Sequence, residues 1–124
     1  MISIGFTPDV LHCNDWQTAL TPIFLRKFYP KYNKVRTVFT IHNIEYQGKM
    51  PPSFASDVVG VDSDTAAALT YGDCINLMKG AIVFSDAVTT VSETYAGEIL
   101  TEYYSHGLSP ILWENKHKLF GIVN

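Results

Sequence analysis

The stretch that most constrains this chain is Arg36 to Gly48, R-T-V-F-T-I-H-N-I-E-Y-Q-G. Its first half holds Val38, Phe39, Thr40 and Ile41, a run of β-branched and aromatic residues. Such a run reads as a fully buried strand, the habit of parallel sheets. At His42 the sequence turns polar at once. In open α/β sheets ligands gather outside the carboxyl ends of strands, so His42, Asn43, Tyr46 and Gln47 stand where a ligand is expected. Gly48 then permits a turn.

The rest of the chain reads as support for that strand end. Thr7, Pro8 and Asp9 form a turn into a short strand, Val10 to Cys13. Asp15 is placed to cap a helix beginning at Trp16, whose apolar positions Trp16, Ala19, Leu20, Ile23, Phe24 and Phe28 keep helical spacing. Pro22 either kinks this helix or marks a restart with Thr21 as cap. Met50 to Asp64 has the composition of a long loop, and a short helix through Ala66 to Leu69 ends at Gly72. Ile75, Met78, Ile82 and Val83 predict a largely buried helix from about Asp73 to Phe84. A strand over Ala87 to Val91, a helix capped by Ser92 with Glu93 in its first turn, a loop over Tyr103 to Ser109, a short helix over Pro110 to Glu114 and a strand over Leu119 to Val123 complete the chain. The alternation predicts an α/β fold: a Rossmann-like parallel sheet of about four strands with helices on both faces.

Bulk properties set the outer limits. The 124 residues suit one domain at most, and 47% hydrophobic content supports a packed core. A net charge of -3 with no basic run gives no footprint for nucleic acid. No apolar segment approaches a membrane span, and the first residues lack the charged-then-apolar order of a signal peptide. Cys13 and Cys74, each beside apolar residues, fit two reduced thiols of a cytoplasmic protein better than a disulfide framework. The chain opens almost directly on a buried-type strand and ends on L-F-G-I-V-N, which reads as a piece of a larger protein.

Two constellations carry candidate chemistry. A histidine at a strand end can donate to a ligand hydroxyl or a backbone carbonyl, or exchange a proton near neutrality; the plainer reading of His42 is a loop histidine satisfied by its neighbours. The second constellation is H-C-N-D-W, His12 to Trp16, which adjacent parallel strands would bring beside His42. Asp15 acting only as a cap would contribute roughly 1 kcal/mol and no chemistry. Consecutive strand residues such as His12 and Cys13 point to opposite faces, so they do not readily share one metal ion, and no metal or other cofactor is expected. His106 and His117 lie among polar residues and read as exposed. No phosphate-cradling glycine loop and no G-x-S-x-G turn occur.

Three stretches together resemble one family. P-D-V-L-H-C-N-D-W-Q-T-A-L, T-V-F-T-I-H-N-I-E-Y-Q-G, and Y-G-D-C-I-N-L-M-K-G-A-I followed by A-V-T-T-V-S-E-T-Y-A-G-E-I-L resemble the N-terminal domain of bacterial glycogen synthase and plant starch synthase, from about Gly5 to Asn124. The resemblance implies a two-domain glycosyltransferase that moves glucose, with retention, from ADP-glucose or UDP-glucose to the non-reducing end of an α-1,4-glucan. It implies that His42 contacts the transferred glucose and is needed for catalysis, and that Asp15 lies on the acceptor side of the cleft. Asn43, Tyr46 and Gln47 would belong to the cleft wall, and Asn124 would stand near the interdomain hinge. Gln17 departs from the histidine many members carry there.

The family's Lys-x-Gly-Gly-Leu loop and its C-terminal nucleotide-binding domain do not occur in these residues. The expectation is therefore a partial N-terminal domain, residues 1–124, inactive by itself and prone to self-association through an exposed sheet edge. A non-catalytic glucan-binding or regulatory module, and a related retaining transferase such as sucrose synthase, stay open as other readings. H-N-I-E-Y-Q-G argues against the second.

Overall fold

The computed structural model describes residues 9–28, 34–51, 53 and 63–122. In chain order its strands are β1 (Val10–Asn14), β2 (Arg36–Ile41), β3 (Lys49–Met50), β4 (Thr70–Tyr71), β5 (Cys74–Asn76), β6 (Ala87–Thr90) and β7 (Leu119–Gly121). Its helices are α1 (Leu20–Phe28), α2 (Ser63–Leu69), α3 (Leu77–Phe84), α4 (Glu93–Glu98) and α5 (Ser109–Glu114), with single 3₁₀ turns at Trp16–Thr18 and Lys116–Lys118.

Four strands form one parallel sheet in the order β1-β2-β6-β7, as the alternation predicts. Each crossover steps the same way across the sheet, and right-handed crossovers of that kind lay their helices over one face. The side chains agree. Cys13, Phe39, Ile41 and Val88 enter a single buried core with Ile23, Met78, Ala81, Ile82, Ile99 and Leu112 from the helical segments. The opposite face holds Val10, His12, Asn14, Val38, Thr40, Thr89 and Phe120, of which Val10 and Phe120 are each 52% exposed. The expectation of helices on both faces is thus met on one face among the described residues.

Three sequence expectations are corrected. The predicted helix from Asp73 begins only at Leu77: Cys74–Asn76 is a strand, paired antiparallel with both β3 and β4 in a second, three-stranded sheet. Gly72 at φ +65° opens a two-residue hairpin between Tyr71 and Cys74, and Asn76 caps α3 by accepting from the Lys79 amide. The helix predicted from Trp16 is a 3₁₀ turn followed by α1, so the restart reading of Pro22 holds in kind. Pro22 sits in the first turn of α1, where no intrahelical amide bond is lost. Asp15 makes no side-chain cap. By contrast, Ser92 caps α4 as expected, accepting from the Tyr95 amide at 3.0 Å.

At the amino edge of the sheet Asp86 ties β2 to β6. Its carboxylate accepts from the Thr37 amide and hydroxyl and pairs with Arg26 and, at 3.9 Å, with Arg36. Lys118 donates to the carbonyls of Val83 and Ser85 at the end of α3, where a cation complements the helix dipole. Cys13 and Cys74 are free thiols, and burial raises the pKa of Cys13. The predicted Thr7–Pro8 turn, most of the Met50–Asp64 loop, and Val123 lie outside the described residues.

Candidate functional site

The carboxyl ends of β1 and β2 meet because the strands pair in register, Asn14 opposite Thr40. The pairing runs one residue past β1: the Asp15 amide donates to the Thr40 carbonyl at 2.9 Å. Asp15 then turns with φ 62° and ψ 176°, a conformation natural to glycine, and its Oδ1 accepts from the His42 amide at 2.8 Å. The His42 ring is held as well, with Nε2 3.1 Å from Asn14 Oδ1. His42 and Asn14 are both exposed, so the cluster faces solvent.

Below it, on the same face, runs a polar row. His12 Nε2 meets Thr40 Oγ1, and Thr40 Oγ1 meets Thr89 Oγ1 at 2.6 Å. His12 and Cys13 face opposite ways, one exposed and one buried. Among the described residues, no three His, Cys, Asp or Glu side chains converge as a metal site would require.

The loop after β2 is built by local bonds. Asn43 Oδ1 accepts from the Glu45 amide, and the Asn43 carbonyl from the Tyr46 amide. Ile44 points inward, 2% exposed, and its amide donates to Tyr95 Oη from α4. Gln47 is 3% exposed, with Nε2 donating to the carbonyls of Ile44 and His106 and Oε1 accepting from Asn76 Nδ2 at 2.7 Å. Gly48 at φ +69° lets Trp16 pack against its backbone; a Cβ there would lie 2.7 Å from the indole.

Tyr46, 61% exposed, and Trp16 line an open surface depression of about 330 Å³ beside this loop, together with Glu45, Lys49 and Met50. Aromatic faces with a few polar groups are the usual lining of a small-molecule site.

Of the residues singled out from sequence, the fold brings Asp15, His42, Asn43, Tyr46 and Gln47 to one strand-end region. Gln47 turns its amide inward there. Asn124 lies outside the described residues. Sequence reasoning gave Asn14, Trp16, Tyr95 and Asn76 no individual role at the site. Asn14 and Trp16 flank Asp15 in H-C-N-D-W, so their placement was open to inference; Tyr95 and Asn76 are 51 and 29 residues from their loop partners and carry no local signal.

A parallel sheet with a polar cluster outside the carboxyl ends of its strands is a Rossmann-like arrangement. The family can be stated too. Residues 1–114 match the family model described as starch synthase catalytic domain. The glycogen synthase of Clostridium novyi (strain NT) is 48% identical over 124 residues, covering 96% of this chain and 26% of that protein. That of Streptococcus agalactiae serotype III is 46% identical over 129 residues, covering 100% of this chain and 27% of that protein. Among solved structures, the catalytic domain of Starch Synthase IV from Arabidopsis thaliana bound to ADP and acarbose superposes with a TM-score of 0.87. It shares 39% identity over 99% of this chain and 26% of its own. The chain belongs to the starch synthase catalytic domain family, and it spans about a quarter of the length of these relatives.

Proposed function

We propose that this chain is part of the N-terminal domain of a retaining glucosyltransferase that carries glucose from ADP-glucose or UDP-glucose to the non-reducing end of an α-1,4-glucan. The observation that carries the reading is the likeness, over 99% of the chain, to a starch synthase catalytic domain bound to ADP and acarbose. His42 is the catalytic contact to the transferred glucose. Asp15 serves the acceptor side and fixes the His42 backbone; Asn43, Tyr46 and Gln47 shape the cleft wall, and Asn124 lies toward the hinge. The open depression beside Trp16 and Tyr46 offers aromatic faces to the apolar face of a pyranose.

The 124-residue chain alone transfers no glucose. Breaking the sugar–phosphate bond needs positive charge aimed at the departing diphosphate, a contribution of roughly 3–4 kcal/mol for each well-placed donor. These residues hold no Lys-x-Gly-Gly-Leu loop to supply it.

Isolated, the chain pairs with a second copy along the outer edge of β1. Among the described residues that strand is terminal in the sheet order, and exposed Val10 lies on it. Its two free thiols fit a reducing compartment, the cytoplasm. Among the described residues no helix is long and apolar enough to cross a membrane.

The test is a chimera in which this chain replaces the matching segment of the Clostridium novyi glycogen synthase. Transfer of labelled glucose from ADP-glucose to glycogen is expected, and His42→Ala should lower it by about a hundredfold or more. A folded chimera without transfer, or one indifferent to His42→Ala, would overturn the reading. Sedimentation of the isolated chain as a monomer at high concentration would remove the self-association.

A further inference from the structure

Among the described residues, the His42 ring is hydrogen-bonded by the residue before Asp15. Asn14 and Thr40 are register partners, so Asn14 and His42 rise from the same sheet face at adjacent strand ends, and Asn14 Oδ1 lies 3.1 Å from His42 Nε2. The backbone of His42 is fixed independently by Asp15. Two consecutive residues of β1 therefore hold the two parts of one histidine.

That division has a chemical consequence. A carboxamide oxygen only accepts, whereas a neutral imidazole carries one N–H and one lone pair. With Oδ1 turned toward Nε2, the proton belongs on Nε2 and the lone pair on Nδ1. The competing ring on this face, His12, is engaged by Thr40, whose hydroxyl is in turn bonded to Thr89.

We propose that Asn14 is a positioning residue that locks His42 in the Nε2–H tautomer and leaves Nδ1 to accept from a ligand hydroxyl. The inference deepens the proposed role of His42 and rests on it. A sugar hydroxyl then approaches His42 as a hydrogen-bond donor. A ligand offering only an acceptor at that point is discriminated against, because two lone pairs would face each other.

The experiment is two-bond proton–nitrogen NMR of the chain labelled at histidine nitrogen, at about pH 9, above the ordinary imidazole range. His42→Gln assigns the His42 signals by their loss. Expected are an Nε2–H pattern for His42 in the parent, a shift toward the mixed-tautomer pattern in Asn14→Ala, and retention of Nε2–H in Asn14→Asp, whose carboxylate still accepts. If Asn14→Ala does not give a folded amide spectrum, Asn14→Val, which suits a strand and carries no acceptor, is read in its place with the same expected loss. An Nδ1–H pattern in the parent, or an unchanged pattern after removal of the carboxamide, overturns the proposal.

The chimera supplies the functional arm. Asn14→Ala should lower transfer in the presence of His42 and add nothing to His42→Ala. Additive losses overturn positioning through His42. An inactive chimera with the tautomer result intact leaves the geometry standing and removes the glucosyltransferase reading instead.

Discussion

Asp15 and His42 are joined through the backbone: the Asp15 carboxylate accepts the His42 amide at 2.8 Å, while the Asp15 amide donates to Thr40, two residues before His42. The ends of two strands are thereby clasped by one residue. The cost is visible in its backbone, at φ 62° and ψ 176°, where side chains other than glycine's are strained by roughly 1–3 kcal/mol. Such strain persists only where surrounding bonds determine it, and it collects where ligands bind.

The clasp and the strain are separable by two substitutions. Asp15→Ala removes the acceptor and keeps the strained backbone; Asp15→Gly removes the acceptor and relieves the strain. Both should destabilise the chain, with the glycine variant more stable than the alanine variant by about 1 kcal/mol. Urea unfolding measures the order. Alanine equal to or above glycine would show that the backbone at residue 15 relaxes freely.

A second prediction concerns Asn76 and Gln47, 0% and 3% exposed. The Asn76 side chain does two things: its Oδ1 caps α3 through the Lys79 amide, and its Nδ2 satisfies Gln47 Oε1. Asn76→Ala should therefore cost more than a cap alone, about 2–4 kcal/mol, by leaving a buried acceptor unpaired. In a double-mutant cycle, Gln47→Ala should cost less in the Asn76→Ala background than alone. Additive losses would mean that the two amides act independently.

The sheet and its strand end were legible because their signals are local. The Val38–Ile41 run is β-branched or aromatic at every position, and the Ser92 hydroxyl needs only the amide three residues on. Asp73 to Phe84 misled because Ile75, Met78 and Ile82 fit a helical spacing. The three residues of β5 are too few to show their own alternation, and their strand state comes from antiparallel partners on both sides. Asp15 misled for a related reason: a carboxylate before a helix reads as a cap, yet here the His42 amide, 27 residues away, takes it. Gln47 was assigned to the cleft wall by the family resemblance, which does not say which way its amide points. That its amide turns inward follows from Asn76 and the His106 carbonyl, which only the tertiary fold brings near.

Asp86 makes acid stability predictable. Burial pushes its carboxyl upward, but the Thr37 amide, the Arg26 hydrogen bond and charge, and the Arg36 charge outweigh it and hold the pKa below the ordinary 3.8. The unfolded chain then takes up the proton first as pH falls. The stabilisation from this group is therefore complete above the unfolded value and is lost as pH drops through the lower folded value. The stability gap between parent and Asp86→Asn should be widest near neutral pH and shrink as the pH falls below about 4, the ordinary carboxyl range. Denaturant melts at several pH values check it, and a gap constant through that window would contradict the assignment.

The last prediction sets two glycines against each other. Gly97 lies within α4 and a Cβ there would meet nothing within 4 Å, whereas a Cβ on Gly121 would stand 2.4 Å from both the Glu93 Cα and the Ser92 carbonyl oxygen. The first position is exposed and helical, so alanine should stabilise the chain by about 0.5–1 kcal/mol through the unfolded state and helix propensity. At the second the obstacle is backbone, which cannot swing aside as a side chain does. Gly121→Ala must push the start of α4 off β7, and with it the Tyr95 hydroxyl that accepts from the Ile44 amide in the loop after His42. A loss of about 2 kcal/mol or more is expected, of the kind seen when a packed core is overfilled. Amide chemical-shift changes should therefore reach Ile44 in Gly121→Ala and stay within α4 in Gly97→Ala. Equal stabilities, or a silent Ile44 amide in Gly121→Ala, would show that α4 does not carry strain from the last strand to the candidate site.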